Sequence, residues 1–547
     1  MPSPILTPES RRATLERFIR DLVGELEPTM RAHNLAIWDA HANGNAASFA
    51  EAEQLDGRIR KRFAEREPYQ QLVALRDAGG VDDALLARQL QLLIQSYQAN
   101  QIPPATIDQM VALEKQLEQR FSSFRADFGG ERVADNRLRD VLKQSDDSEE
   151  RRRAWEASKQ VGTEVVGDLL ALVRLRNAAA KEQGFPSYYT MMLTLDELDE
   201  RELFEVLDEI DRGTRPLFER YKQELDGGLA QRFGVARDAL YPWHYADPFF
   251  QEAPAAAGVN LDAWFESRSL EELTTRFFDA VGLELGDLMS RADLYEKPGK
   301  NQHAFCLTVD RRDDIRVLCN LRGNEYSMGT MLHEFGHAVY DRYVDPGLPF
   351  LLRTHAHTLS TEASAMLFGR LSKNAAWLER YAGMPAAEAA SAAAASARAI
   401  RTQLLVQVRW NLVMCHMERE VYRDPEQDLE ALWWDLVERF QRVRRPPRRR
   451  APDWASKIHF SMAPVYYQNY LLGEMMASQL QRHLLNHVAG GGAGAWARYV
   501  ASPEVGAFLK RRFYASGKRM DWRGTLEAAT GERLSPAAII DELAGRA

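Results

Sequence analysis

Apolar residues recur at three- and four-residue steps through most of this chain, a period that belongs to helices packed on helices. Through residues 10–66 the stripe runs along Leu15, Phe18, Ile19, Leu22, Val23 and Leu26 among many charges. The same pattern predicts helices over residues 83–97, 107–124, 148–183, 203–227 and 270–281. The alanine-rich stretch 386–409 joins them, because Ile400, Leu404, Leu405, Val408 and Trp410 continue the stripe and alanine is the strongest helix former. Residues 304–309 and 315–321 are short, rich in β-formers and separated by a charged turn, so they predict one hairpin in a small sheet. No Ser/Gly linker divides the chain. The charge-rich helices before Glu150 predict an N-terminal helical lobe over 1–150, followed by a helical region over 151–547.

Composition removes several function classes. Lys+Arg 70 against Asp+Glu 79 leaves a net charge of −9, the wrong sign for a general nucleic-acid binder. Apolar residues at 45% and charged residues at 27% exclude wholesale disorder. Three cysteines cannot make a disulfide framework, and no run reaches the roughly 18 apolar residues of a membrane span. The N-terminal residues lack the apolar core of a secretory signal, so the expected location is cytoplasmic. One basic run, Arg442 to Arg450, could touch nucleic acid, but its two prolines fit a solvated loop better.

Residues 333–337 read His-Glu-Phe-Gly-His inside a helical stripe formed by Met328, Met331, Leu332, Phe335 and Val339. Positions i and i+4 share a helix face, so His333 and His337 can offer ring nitrogens to one metal ion. Glu334 can then reach a metal-activated water rather than the metal. Gly336 weakens the helix, which suggests close approach by another segment. The plainer alternative is a helix with two satisfied histidines. A third ligand favours the metal: Glu362 stands alone among Leu359, Ala363, Met366 and Leu367, where burying a carboxylate is costly without a cation. Downstream, Pro464 reads as a first-turn residue of a helix on which Tyr467 and Tyr470 share a face. With His459 nearby, these are donor types suited to a developing oxyanion, although amphipathic packing explains any single tyrosine as well.

Together these segments resemble the helical gluzincin metallopeptidases, namely the thimet oligopeptidase and oligoendopeptidase F family and the related angiotensin-converting enzyme. Glu362, 25 residues after His337, and Glu-Ala-Ser-Ala-Met-Leu at 362–367 resemble the thimet type. Ala-Ser-Lys-Ile-His at 455–459 resembles the converting enzyme, as does His303-Ala304 placed 30 residues before His333. The segment LVRLRNAAAKEQG at 172–184 is similar to both, and the likeness extends over about 169–481. It implies a mostly α, two-lobed fold with a deep substrate channel and one small β-sheet. It implies one Zn2+ per chain on His333, His337 and Glu362, with Glu334 as general base and acid. Tyr470 and His459 are implied as oxyanion donors, His303 and Ala304 as a substrate-pairing edge, and Lys457 with Tyr467 as the grip on a peptide's C-terminal carboxylate.

Three positions depart from the pattern. Asn469 stands where the converting enzyme has a chloride-site arginine. Met366 stands where a carboxylate orients a zinc histidine, and residues 242–245 hold no glutamine to help grip a carboxylate. The expected activity is zinc-dependent hydrolysis of short unstructured peptides, with release of C-terminal dipeptides slightly favoured through Lys457. An endo-oligopeptidase is the alternative, and a catalytically inactive peptidase-fold binding protein is the alternative from another class. Peptides are the expected partners, with no nucleic acid and no membrane.

Overall fold

Nearly every predicted stripe becomes a helix in the computed structural model, which describes residues 7–253 and 260–546. The fold is mostly α, as expected. The long helix Ser148–Glu182 matches the predicted 148–183, and the alanine-rich stretch extends into the helix Ala386–Arg423. The predicted hairpin forms from Phe305–Thr308 and Ile315–Leu318, antiparallel, with Phe305 opposite Leu318 and Thr308 opposite Ile315. A second hairpin, Ala126–Phe128 with Glu131–Val133, was not expected. Its strands are only three residues long, so no alternation marks them. Gly129 and Gly130, both at positive φ, make its turn.

The described residues form two compact units, each drawn from separated stretches. The expected boundary at residue 150 falls inside the helix Ser148–Glu182, which continues through it.

The first unit comprises residues 7–101, 260–397 and 472–538. Its N-terminal helices, Pro8–Asn43 through Ala84–Ala99, bury a cluster that includes Leu15, Leu22, Leu72, Leu93 and Tyr97. The hairpin packs on the helix Glu325–Arg342, which packs in turn on Thr358–Gly369. The expected close approach at Gly336 is present: a Cβ there would lie 2.7 Å from the Ala365 Cα. Ser364 braces the same contact by donating to the Gly336 carbonyl at 2.9 Å, and its hydroxyl also bonds Tyr514 at 2.8 Å.

The second unit comprises residues 102–253, 398–471 and 539–546. Residues 242–245, where a carboxylate-binding glutamine was sought, belong to its core: buried Arg151 donates to the Trp243 carbonyl at 2.8 Å and the Tyr245 carbonyl at 3.0 Å. Gly162 lets the turn Asp453–Ser456 lie directly on the long helix, since a Cβ would meet the Pro452 carbonyl oxygen at 2.5 Å. The basic run is engaged within this unit: Arg442 pairs with Glu219, Arg445 with Glu438, Arg449 with Asp453 and Arg450 with Asp428. Pro464 does not open a helix as expected. It precedes Val465, which has φ +57°, and the helix Tyr467–His483 starts only after that turn.

Candidate metal and peptide-binding sites

The helix Glu325–Arg342 starts at Asn324, whose side chain accepts from the Ser327 N–H, and its buried stripe includes Met328, Met331, Leu332 and Phe335. This fixes the face on which His333 and His337 stand one turn apart, with ring centroids 4.9 Å from each other. The neighbouring helix Thr358–Gly369 brings Glu362 opposite them. Its Oε2 lies 3.8 Å from His333 Nε2 and its Oε1 lies 3.9 Å from His337 Nε2. One ligand atom from each of the three residues falls within 4.8 Å of the others.

Electrostatics fit a cation at this point. Burial pushes the His333 imidazole down to about 4, so it stays neutral with a lone pair to offer. Burial also lowers His337, to about 3, with His333 adding to the effect. Burial, then Glu474, raises the Glu362 carboxyl. Two neutral imidazoles and a carboxylate form a donor set that suits zinc. Glu334 is 7% exposed, and burial followed by the nearby Glu362 pushes its carboxyl up to about 8.

The hydrogen-bond partner of His337 comes from an unexpected residue. Thr361 Oγ1 lies 2.7 Å from His337 Nδ1, a contact that keeps Nε2 free to face a metal ion. It sits one residue before Glu362, whereas the family pattern pointed four residues after it, to Met366. His355 and His357 also take definite places: His355 Nδ1 is 3.2 Å from the buried Asp341, and His357 Nδ1 accepts from the Leu359 N–H to cap the Glu362 helix. His303 and Ala304 lie just before the strand Phe305–Thr308. That strand is the edge of its pair, because Asp293 bridges the other strand at Leu318.

In the second unit, Lys457 Nζ donates to Gln251 Oε1 at 2.7 Å and lies 5.2–5.3 Å from the ring centroids of Trp410 and Phe249. A glutamine thus stands beside Lys457, although residues 242–245 hold none. Burial lowers the Lys457 ammonium to about 8. Trp410 Nε1 donates to the Tyr467 hydroxyl at 3.2 Å, which joins that tyrosine to the cluster. The His459 ring packs 4.8 Å from Tyr467, and Tyr467 packs 5.6 Å from Tyr470. Burial, and then Lys457, lowers His459 to about 4, and its buried Nδ1 has no hydrogen-bond partner among the described residues. Tyr470 is 38% exposed.

Comparison with known families agrees with this chemistry. A family model described as Peptidase family M3 matches residues 141–545, well over half of the chain and all of the positions named above. A second, described as angiotensin-converting enzyme, matches residues 9–238 and stops short of the His-Glu-Phe-Gly-His helix. A search of curated proteins found no match.

Proposed function

The chain belongs to peptidase family M3 and is a metallopeptidase, with zinc as the expected metal; from that premise we propose that it cleaves short unstructured peptides and releases C-terminal dipeptides. The convergence of His333, His337 and Glu362 within 4.8 Å carries this reading. These three residues would hold one zinc per chain. Bound there, zinc supplies a Lewis acid for the scissile carbonyl and lowers the pKa of a water toward about 7. Glu334 takes the proton of the attacking water and passes it to the leaving amine. Tyr470 and His459 donate to the oxyanion. In support, Tyr470 shares the helix Tyr467–His483 with Gly473, where a Cβ would lie 3.4 Å from the Glu362 Cβ. His303 and Ala304 pair with the substrate backbone.

Lys457, Gln251 and Tyr467 set the register by holding the peptide's free carboxylate. The ammonium supplies charge and Gln251 supplies its amide donor. Its place is the cytoplasm, with no membrane or nucleic-acid partner; among the described residues no helix is long and apolar enough to cross a membrane.

Metal analysis with product mass spectrometry tests the whole. The protein should carry about one zinc per chain, lost in His337→Ala, and should release dipeptides from free-acid peptides faster than from amidated ones. Full zinc in His337→Ala would overturn the ligand set. Equal cleavage of acid and amide peptides at internal bonds would make the protein an endo-oligopeptidase, and zinc binding without cleavage would make it a binding protein.

A further inference from the structure

Six non-glycine residues among those described have positive φ, and Val465 is the one β-branched residue in that group. A branched Cβ is especially disfavoured in the left-handed region, and such a conformation persists only where its surroundings over-determine it. Val465 lies between His459 and the helix carrying Tyr467 and Tyr470, so its backbone sets how the chain enters that helix.

Side chains hold both of its backbone polar groups. The Val465 N–H donates to Glu418 Oε1 at 2.8 Å, and its carbonyl accepts from Gln468 Nε2 at 2.6 Å. Glu418 is 2% exposed and comes from the helix Ala386–Arg423, far away in sequence. Just upstream, the buried Arg176 donates to the Ser461 carbonyl at 2.9 Å and to the Tyr422 hydroxyl at 3.0 Å. The mechanism above gives Glu418 no role, and its side chain is a costly one to bury in a place where an apolar residue would pack.

We propose that Glu418 is a positioning residue: its carboxyl oxygen clamps the left-handed turn at Val465 and thereby aims Tyr470. The proposal rests on the reading of Tyr470 as an oxyanion donor. The acceptor atom matters here, not the charge. Glu418→Gln keeps an oxygen at full reach, whereas Glu418→Asp keeps the carboxyl group and withdraws the oxygen by one methylene. Glycine adopts positive φ without a clamp, so Val465→Gly makes the clamp dispensable.

The test is steady-state cleavage of a single peptide by these variants. Glu418→Gln should stay within about twofold of wild type, while Glu418→Asp should lose about tenfold in kcat at unchanged KM. Val465→Gly should restore the Asp variant to within about threefold. Glu418→Asp combined with Tyr470→Phe should be no slower than Tyr470→Phe alone, since the one acts through the other. Should Glu418→Asp fail to fold, Gln468→Met removes the second brace and should show the same kcat loss with the same rescue. Wild-type kcat in Glu418→Asp, a Gln variant as slow as the Asp variant, or losses that add to those of Tyr470→Phe would overturn the proposal. If Tyr470→Phe alone keeps full kcat, the oxyanion reading itself falls, and that result is seen before Glu418 is touched.

Discussion

The two functional clusters bury ionisable groups of opposite sign. The first unit gathers two neutral histidines and two carboxyls, Glu334 and Glu362, both raised by burial. This is a place short of positive charge. The second unit gathers a half-buried lysine against a glutamine and aromatic rings, with its ammonium pushed down to about 8. The charges around it are mixed, Asp247 and Glu252 favouring the ammonium and Arg139 opposing it. Burial of charge is unfavourable in both clusters, and a cation at one and an anion at the other would relieve it. On the proposed reading, the free C-terminus of a peptide is that anion.

The largest expected effect tests the metal side. Glu334→Gln keeps the three ligands and removes the base, so turnover should fall by several orders of magnitude while metal content stays unchanged. Turnover near wild type, measured beside elemental analysis, would remove Glu334 from the chemistry. On the tyrosine side, Tyr470→Phe deletes one hydroxyl and should cost roughly a hundredfold in kcat with little change in KM. A rise in KM alone would make it a ground-state contact.

Smaller effects sharpen the contrast. Thr361→Val frees the His337 imidazole to turn and should weaken metal affinity about tenfold in competition with a chelator. An unchanged affinity would mean that helix packing alone fixes the ring. The smallest effect is a pH dependence confined to the cationic cluster. The Lys457 pKa is lowered on folding, so the ammonium is charged below about pH 8 and lost above it, with Asp247 and Glu252 favouring the charge and Arg139 opposing it. KM for a free-acid peptide should therefore climb a few-fold as the pH passes about 8, while KM for its amide stays flat. Parallel profiles for both peptides would release Lys457 from carboxylate binding.

What could be read from the chain follows the same divide. His333 and His337 repeat at one helical turn and Glu362 stands alone in an apolar stripe, so local periodicity exposes them. Gly336 even announced the contact at Ala365. Gln251 could not be found this way. It meets Lys457 across 206 positions, a separation at which local periodicity carries no signal. Thr361 was missed for a narrower reason: a hydroxyl beside a ligand gives no signal when a carboxylate is being sought one turn further on. The turn at Val465 was misread because Pro464 commonly opens helices, and here it introduces a strained residue instead. The helix Ser148–Glu182 runs through residue 150, because a shift in charge density does not interrupt a 35-residue helix.

The contact between Gly336 and Ala365 has a meaning in coordination chemistry. With no side chain between the two backbones there, and with Ser364 tying one to the other, the distance between the histidine helix and the glutamate helix is fixed by atoms in hard contact. If His333, His337 and Glu362 hold an ion together, the bite of that chelate is a property of the protein backbone rather than of the ion. Ions would then be favoured by a spacing that no ligand residue determines, and a single methyl group on Gly336, which would meet the Ala365 backbone, would alter that spacing from outside the coordination sphere.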